Sequence, residues 1–201
     1  MKLISAIFHP LILCTYYFLV IYFIQPNLLS PIPVTVAPKL ILVIFVASCL
    51  LPASCILLLK LTRNIGSLHL DKRSDRIIPF VIIAFIYAVI TWFLIQRLVL
   101  STQVITTMGC ITVLIGVLCI ITLKYKISIH AAAIWASAGI LSALSIRYNL
   151  MAFYVPTLFS FVIAGWVSSS RLVLRKHTTT EVWSGSFLGF LSCFIFIYFC
   201  P

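Results

Sequence analysis

Ile77-Ile78-Pro79-Phe80-Val81-Ile82-Ile83-Ala84-Phe85-Ile86-Tyr87-Ala88-Val89-Ile90-Thr91-Trp92-Phe93-Leu94-Ile95 carries no charge along its whole length, and its reading decides the fold. At about 1.5 Å of rise per residue, a run of this length crosses a hydrocarbon core of about 30 Å as a helix. It lacks the period-2 alternation of a membrane β-strand. A backbone inside lipid must satisfy its own hydrogen bonds, which leaves helix as the state open to it.

The rest of the chain agrees with that run. Across 201 residues it is 63% hydrophobic and 8% charged, with a mean hydropathy of +1.24, too little polar surface to coat a water-soluble globule. The net charge of +11 comes from 14 Lys and Arg against 3 Asp and Glu. Those cations sit in short loops between apolar runs rather than on one soluble face, so a bilayer partner fits them and nucleic acid does not. The seven cysteines are scattered through apolar runs without a C-x-x-C pair and read as small core residues.

Working outward, Ile77 to Leu123 stays apolar except around Gln96-Arg97, with Ser101-Thr102-Gln103 just beyond, and makes two crossings. Upstream lie a first span from about Ser5 to Ile24, read as a retained helix, and a second from about Leu40 to Leu61, which Pro52 is expected to kink. The four prolines Pro26, Pro31, Pro33 and Pro38 forbid a continuous helix between them. Downstream, Ile127 to Ser169 makes two more crossings divided at Arg147-Tyr148-Asn149. The last span is expected over Phe187 to Cys200, entered by a turn from Val182. The sequence therefore predicts one domain, 1–201, an all-α bundle of six or seven transmembrane spans.

Paired crossings separate three polar loops, 62–76, 124–130 and 169–182, and so put them on one face of the membrane. Eleven of the basic residues fall on that face and three on the other, which by the positive-inside rule leans toward the cytoplasm. Cations held for binding an anion are poor markers of sidedness, so the face stays open. A bacterial inner (cytoplasmic) membrane is the expected location.

Each loop holds candidate chemistry. Glu181 lies four residues after His177, within reach of one ring nitrogen, which would fix the tautomer and free the other nitrogen as a nucleophile. It is the one acid of the chain outside the 62–76 loop; an interfacial pairing with Arg175 or Lys176 is the plain alternative. Arg171 offers a planar fork suited to two phosphate oxygens, while Arg175 and Lys176 read as cations meeting lipid headgroups. Lys72 and Arg76, also four apart, can point at one anion or form an ordinary juxtamembrane cluster. His130, with Ser128 two residues before it, stands at a membrane boundary, where an ionisable group suggests proton transfer or a hydrogen-bonded structural role. His9 and His69 have no comparable company and read as structural or interfacial.

Ser170-Arg171-x5-His177-x3-Glu181-Val182-x2-Gly185 resembles the third signature of the type 2 phosphatidic acid phosphatase superfamily, Ser-Arg-x5-His-x3-Asp. Lys126-Ile127-Ser128-Ile129-His130 is similar to its second, Pro-Ser-Gly-His, and Lys72-x3-Arg76-x2-Pro79 loosely to its first, Lys-x6-Arg-Pro. Arg175 stands where the family commonly has Gly. The resemblance spans about 60 to 189. It implies that His177 attacks phosphorus to form a phosphohistidine, that Glu181 orients it, and that Lys72, Arg76, Arg171 and Ser128 hold the phosphate oxygens. His130 would protonate the leaving oxygen and then activate water, with no metal or other cofactor. The expected function is hydrolysis of a lipid mono- or diphosphate at the membrane interface. The alternatives are a phosphotransferase using the same intermediate and a non-catalytic binder of lipid phosphate. No particular lipid and no protein partner is implied.

Overall fold

The computed structural model describes residues 2–63, 74–97 and 100–200. Among them every regular element is helical, with no strand. The helices are α1 (Lys2–Ile7), α2 (Pro10–Ile24), α3 (Ala37–Phe45), α4 (Leu51–Leu61), α5 (Ser74–Arg97), α6 (Thr102–Thr122), α7 (Ile129–Arg147), α8 (Tyr154–Val173) and α9 (Thr179–Phe199). Six of the helical segments are long and apolar enough to cross a membrane, with α3 and α4 counted as one continuous segment, and α2 is a shorter apolar helix beside them. Outward faces carry large apolar side chains such as Phe85, Leu158 and Phe187, each about two-thirds exposed, as a lipid-facing surface requires.

The bundle is built around α7. Some 67% of its span is buried, against 22% to 33% for the other long helices, so its alanines, serines and glycine are core residues rather than lipid-facing ones. α9 lies against it with the backbones nearly touching. A Cβ at Gly185 would sit 2.6 Å from the Ser128 carbonyl oxygen and one at Gly139 2.5 Å from that of Phe190; at Gly189 it would strike the Ala132 carbonyl closer still. Lipid offers no hydrophobic drive between helices, so small residues that allow this approach supply the dispersion contact that holds them. Elsewhere hydroxyls join helices: Thr91 of α5 meets Thr112 of α6 at 2.8 Å, and Tyr17 of α2 meets Thr107 of α6 at 3.1 Å. On the face opposite the candidate site, Arg147 donates to the Ile197 and Cys200 carbonyls and so closes the C-terminal end of α9.

Two expectations from the sequence need adjusting. The first span is broken at His9-Pro10 into α1 and α2, because Pro10 starts a helix that His9 caps through Nδ1, which accepts the Leu11 N–H at 3.4 Å. The last helix begins at Thr179, well before Phe187, because Thr178 and Glu181 form a reciprocal capping box. Around Pro52 the chain takes a π turn at Val46–Leu50. Proline lacks the N–H that would bond the Ser48 carbonyl one turn back, and the Tyr87 hydroxyl donates to that carbonyl at 3.3 Å instead.

Gly189→Ala is expected to force α7 and α9 apart and to cost about 2 kcal/mol or more. Gly109→Ala and Gly116→Ala, where a Cβ meets nothing within 4 Å, should be neutral or stabilise by up to about 1 kcal/mol. Thermal unfolding in detergent compares the three.

Candidate functional site

The close pairing of α7 with α9 brings two of the polar loops together. The Ser128 N–H donates to the Glu181 carbonyl at 3.1 Å, tying the entry of α7 to the first turn of α9. Arg76 of α5 is buried and donates to the Ile127 carbonyl at 3.3 Å, securing the same entry from the other side. Lys126 reaches across to the Lys176 carbonyl at 3.2 Å.

The segment from Arg171 to His177 turns by a defined device. The Arg175 N–H donates to the Leu172 carbonyl and the Lys176 N–H to that of Arg171, the pair of bonds that closes a helix in a Schellman motif. Arg175 takes a φ of 51°, the left-handed conformation that glycine adopts at least cost. That turn sends Lys176 and His177 back under the end of α8, toward Arg171. Six residues of spacing between Arg171 and His177 are thus a helix terminus plus its reversal.

His177 precedes the cap of α9, and its Nδ1 lies 2.6 Å from Glu181 Oε2. Facing a carboxylate, Nδ1 carries the proton and donates, leaving Nε2 with its lone pair. The same carboxylate oxygen accepts the Thr178 N–H at 3.4 Å, so one acid both caps the helix and orients the imidazole. Burial pushes the His177 pKa down to about 4; the Glu181 carboxylate opposes that shift, and Arg76 and Arg171 reinforce it. His177 is therefore neutral at physiological pH.

A cavity of about 650 Å³ opens beside this ring. Its polar end is lined by Arg76, His130, Arg171, Lys176 and His177, together with His9 and Ser5 from the N-terminal segment. Arg171 donates to the Ser5 hydroxyl at 2.8 Å. The His9 and His130 rings meet edge to face, 5.2 Å between centroids and 86° between planes. Below them the walls are apolar, from Leu13 of α2, Ile83 of α5 and Leu114 of α6 to Ile140 of α7. A shallower pocket of about 390 Å³, with Lys126, Arg175, Thr178 and Thr179 in its walls, lies beyond; Lys176 and His177 line both.

Of the residues expected from sequence, Arg76, His130, Arg171 and His177 thus share one cavity, with Glu181 behind His177. Ser128 does not line it. Its side chain is wholly buried and accepts the Ala131 N–H at 3.5 Å as the cap of α7, a structural task in place of phosphate contact. Lys72 lies outside the described residues, as does His69. Three lining residues were missed. The sequence reads Lys176 as a headgroup cation and His9 as structural or interfacial, and Pro10 after His9 marks a helix start on the same face. Nothing in the sequence singles out Ser5. Compared with protein-family models, curated proteins and solved structures, the chain matches none.

Because the folded His177 binds its proton less readily than a free histidine of pKa 6.5, its contribution to stability is intact above that pH. It is lost as pH falls toward about 4. The melting temperature of the wild type should fall over that window more steeply than that of His177→Phe. At Arg175, a β-branched residue resists the left-handed backbone, so Arg175→Val should be about 1–2 kcal/mol less stable than Arg175→Gly in the same measurement.

Proposed function

We propose that this protein hydrolyses a lipid phosphate at the membrane interface through a phosphohistidine on His177. The observation that carries the reading is the single cavity in which a carboxylate-oriented imidazole, a second histidine and two guanidinium groups surround a polar mouth above an apolar chamber. A phosphate dianion matches Arg76 and Arg171, and a hydrocarbon chain matches the walls beneath.

In the first step the Nε2 lone pair of His177 attacks phosphorus in line, and the bond from phosphorus to the ester oxygen breaks. His130 takes up a proton as the phosphate dianion enters beside it and delivers that proton to the ester oxygen, so that the lipid leaves as an alcohol. Glu181 accepts the Nδ1 proton in a hydrogen bond throughout and steadies the charge that develops on the ring. Arg76 and Arg171 meet the negative charge on the non-bridging oxygens, where preorganised donors in a water-poor site act most strongly. In the second step His130 takes a proton from water as the water oxygen attacks phosphorus. The bond from phosphorus to His177 breaks and inorganic phosphate is released. That water takes the place the lipid oxygen has left, on the face of phosphorus opposite His177, where His130 acts in both steps.

Purified protein in EDTA should release phosphate from phosphatidate in mixed micelles. His177→Ala should abolish release, and His130→Ala should lower it by about 10²–10⁴. Acid-quenched wild type given ³²P-labelled substrate should carry label that His177→Ala lacks. Equal release by wild type and His177→Ala would overturn the reading.

A further inference from the structure

The apolar part of the cavity has a floor, and the floor is unusually well fixed. Along α5 from Arg76 to Tyr87, at the helical rise of about 1.5 Å per residue, the lining descends about 16 Å. The descent from His130 to Ile140 on α7 is about 15 Å, and from His9 to Tyr17 on α2 about 12 Å. Three helices thus agree that the chamber ends near the bilayer midplane, since half of a hydrocarbon core is about 15 Å. That is the length a hydrocarbon chain occupies in one leaflet.

Two tyrosines close the bottom, and each is anchored at its tip. The Tyr17 hydroxyl lies 3.1 Å from Thr107 Oγ1 and accepts from Gln103 Nε2 at 3.5 Å, while Gln103 also donates to Thr107. The Tyr87 hydroxyl is held by the Ser48 carbonyl that Pro52 leaves without its helical donor. Both rings are almost fully buried, 3% and 2% exposed. A phenol deep in a membrane protein carries a polar tip that must be satisfied, and here satisfying it also stops the ring from swinging aside. The apolar walls below the polar end of the cavity offer a hydrocarbon chain dispersion contacts along their whole depth.

We propose that the chamber receives the hydrocarbon chain of the substrate and that Tyr17 and Tyr87 set its maximum length at about one leaflet. The substrate class is then a lipid phosphate with leaflet-length chains, and long polyprenyl phosphates are excluded. This rests on the lipid-phosphatase reading only in taking the headgroup at the mouth to be a phosphate. A chain that is too long must fold back or lift the phosphate off His177. The walls also set opposite directions for substitution: filling the chamber shortens it, and truncating a floor tyrosine deepens it.

The test uses 1-acyl-glycerol 3-phosphates of increasing saturated chain length, plus a long polyprenyl phosphate, each at one surface mole fraction in mixed micelles so that partitioning into the micelle is common to all. Wild-type kcat/KM should peak at a leaflet-length chain and fall about tenfold or more beyond it, the discrimination typical of a pocket that senses one methylene too many. The polyprenyl phosphate should not turn over. Ile140→Phe should move the peak to shorter chains, with Leu114→Phe giving the same shift should the first variant not accumulate, and Tyr87→Leu should move it to longer ones. Native mass spectrometry of the same series reports occupancy of the chamber without turnover. Binding that tracks chain length in a protein that releases no phosphate would sink the hydrolase reading and leave the gauge standing. Equal kcat/KM and equal binding at all lengths, or a peak unmoved in all the variants, would overturn the gauge.

Discussion

The approach of α9 to α7 is the contact on which the rest depends. Apart from Arg147, which binds carbonyls at the far end of α9, the contact is made by small and apolar residues, and in lipid neither helix gains by hiding apolar surface from water. What holds them is proximity: Gly139, Gly185 and Gly189 let each backbone lie against the other, where a single methyl would collide with a carbonyl oxygen. That proximity fixes the entry of α7, which carries His130, against the entry of α9, which carries Glu181 and, one residue before the cap, His177. The site is therefore assembled at the ends of two helices whose separation the glycines determine.

Charge is the second constraint. With three acids in the chain, a carboxylate inside the bundle is a rare resource, and Glu181 serves two structures with one oxygen. It caps α9, where the helix dipole favours an anion, and it fixes His177. Burial holds the His177 imidazole in its neutral form, and Arg76 and Arg171 reinforce that. Both guanidiniums are held in place by neutral partners, Arg76 by the Ile127 carbonyl and Arg171 by the Ser5 hydroxyl. Two guanidinium groups lining one cavity complement the charge and the oxygens of a dianion, which is the electrostatic argument for a phosphate.

How much of this could be read from sequence follows from how local each feature is. The helical membrane fold follows from uncharged runs long enough to cross a bilayer, and parity alone put His130 and His177 on one face. The relation of His177 to Glu181 is an i to i+4 spacing and was equally legible. Ser128 caps α7 and does not line the cavity; a hydroxyl before a helix is as suited to capping as to holding phosphate, and spacing does not choose between them. The early start of α9 was marked by Thr178 and Glu181 at capping-box spacing, a signal masked by the polarity of the segment. His9 and Ser5 reach the site only because Pro10 breaks the first span and returns the N-terminal turn over the cavity, a tertiary outcome with no local trace beyond the proline. The chamber has none at all, being the space left between five helices.

That space connects features which in sequence look unrelated. Pro52 lies away from the polar end of the cavity, just after the π turn at Val46–Leu50, yet it withholds from the Ser48 carbonyl the N–H it would accept in a regular helix. Tyr87 satisfies it from α5, and α5 carries Arg76 at its other end. A proline in one helix thereby sets the depth at which a ring blocks the chamber, while the guanidinium on the ring's own helix stands at the mouth. Both stand on α5, and that shared helix is what would allow the protein to sense both ends of a lipid at once. A site assembled on the lipid-facing surface would have the phosphate end only, because a chain free in the bilayer meets no floor.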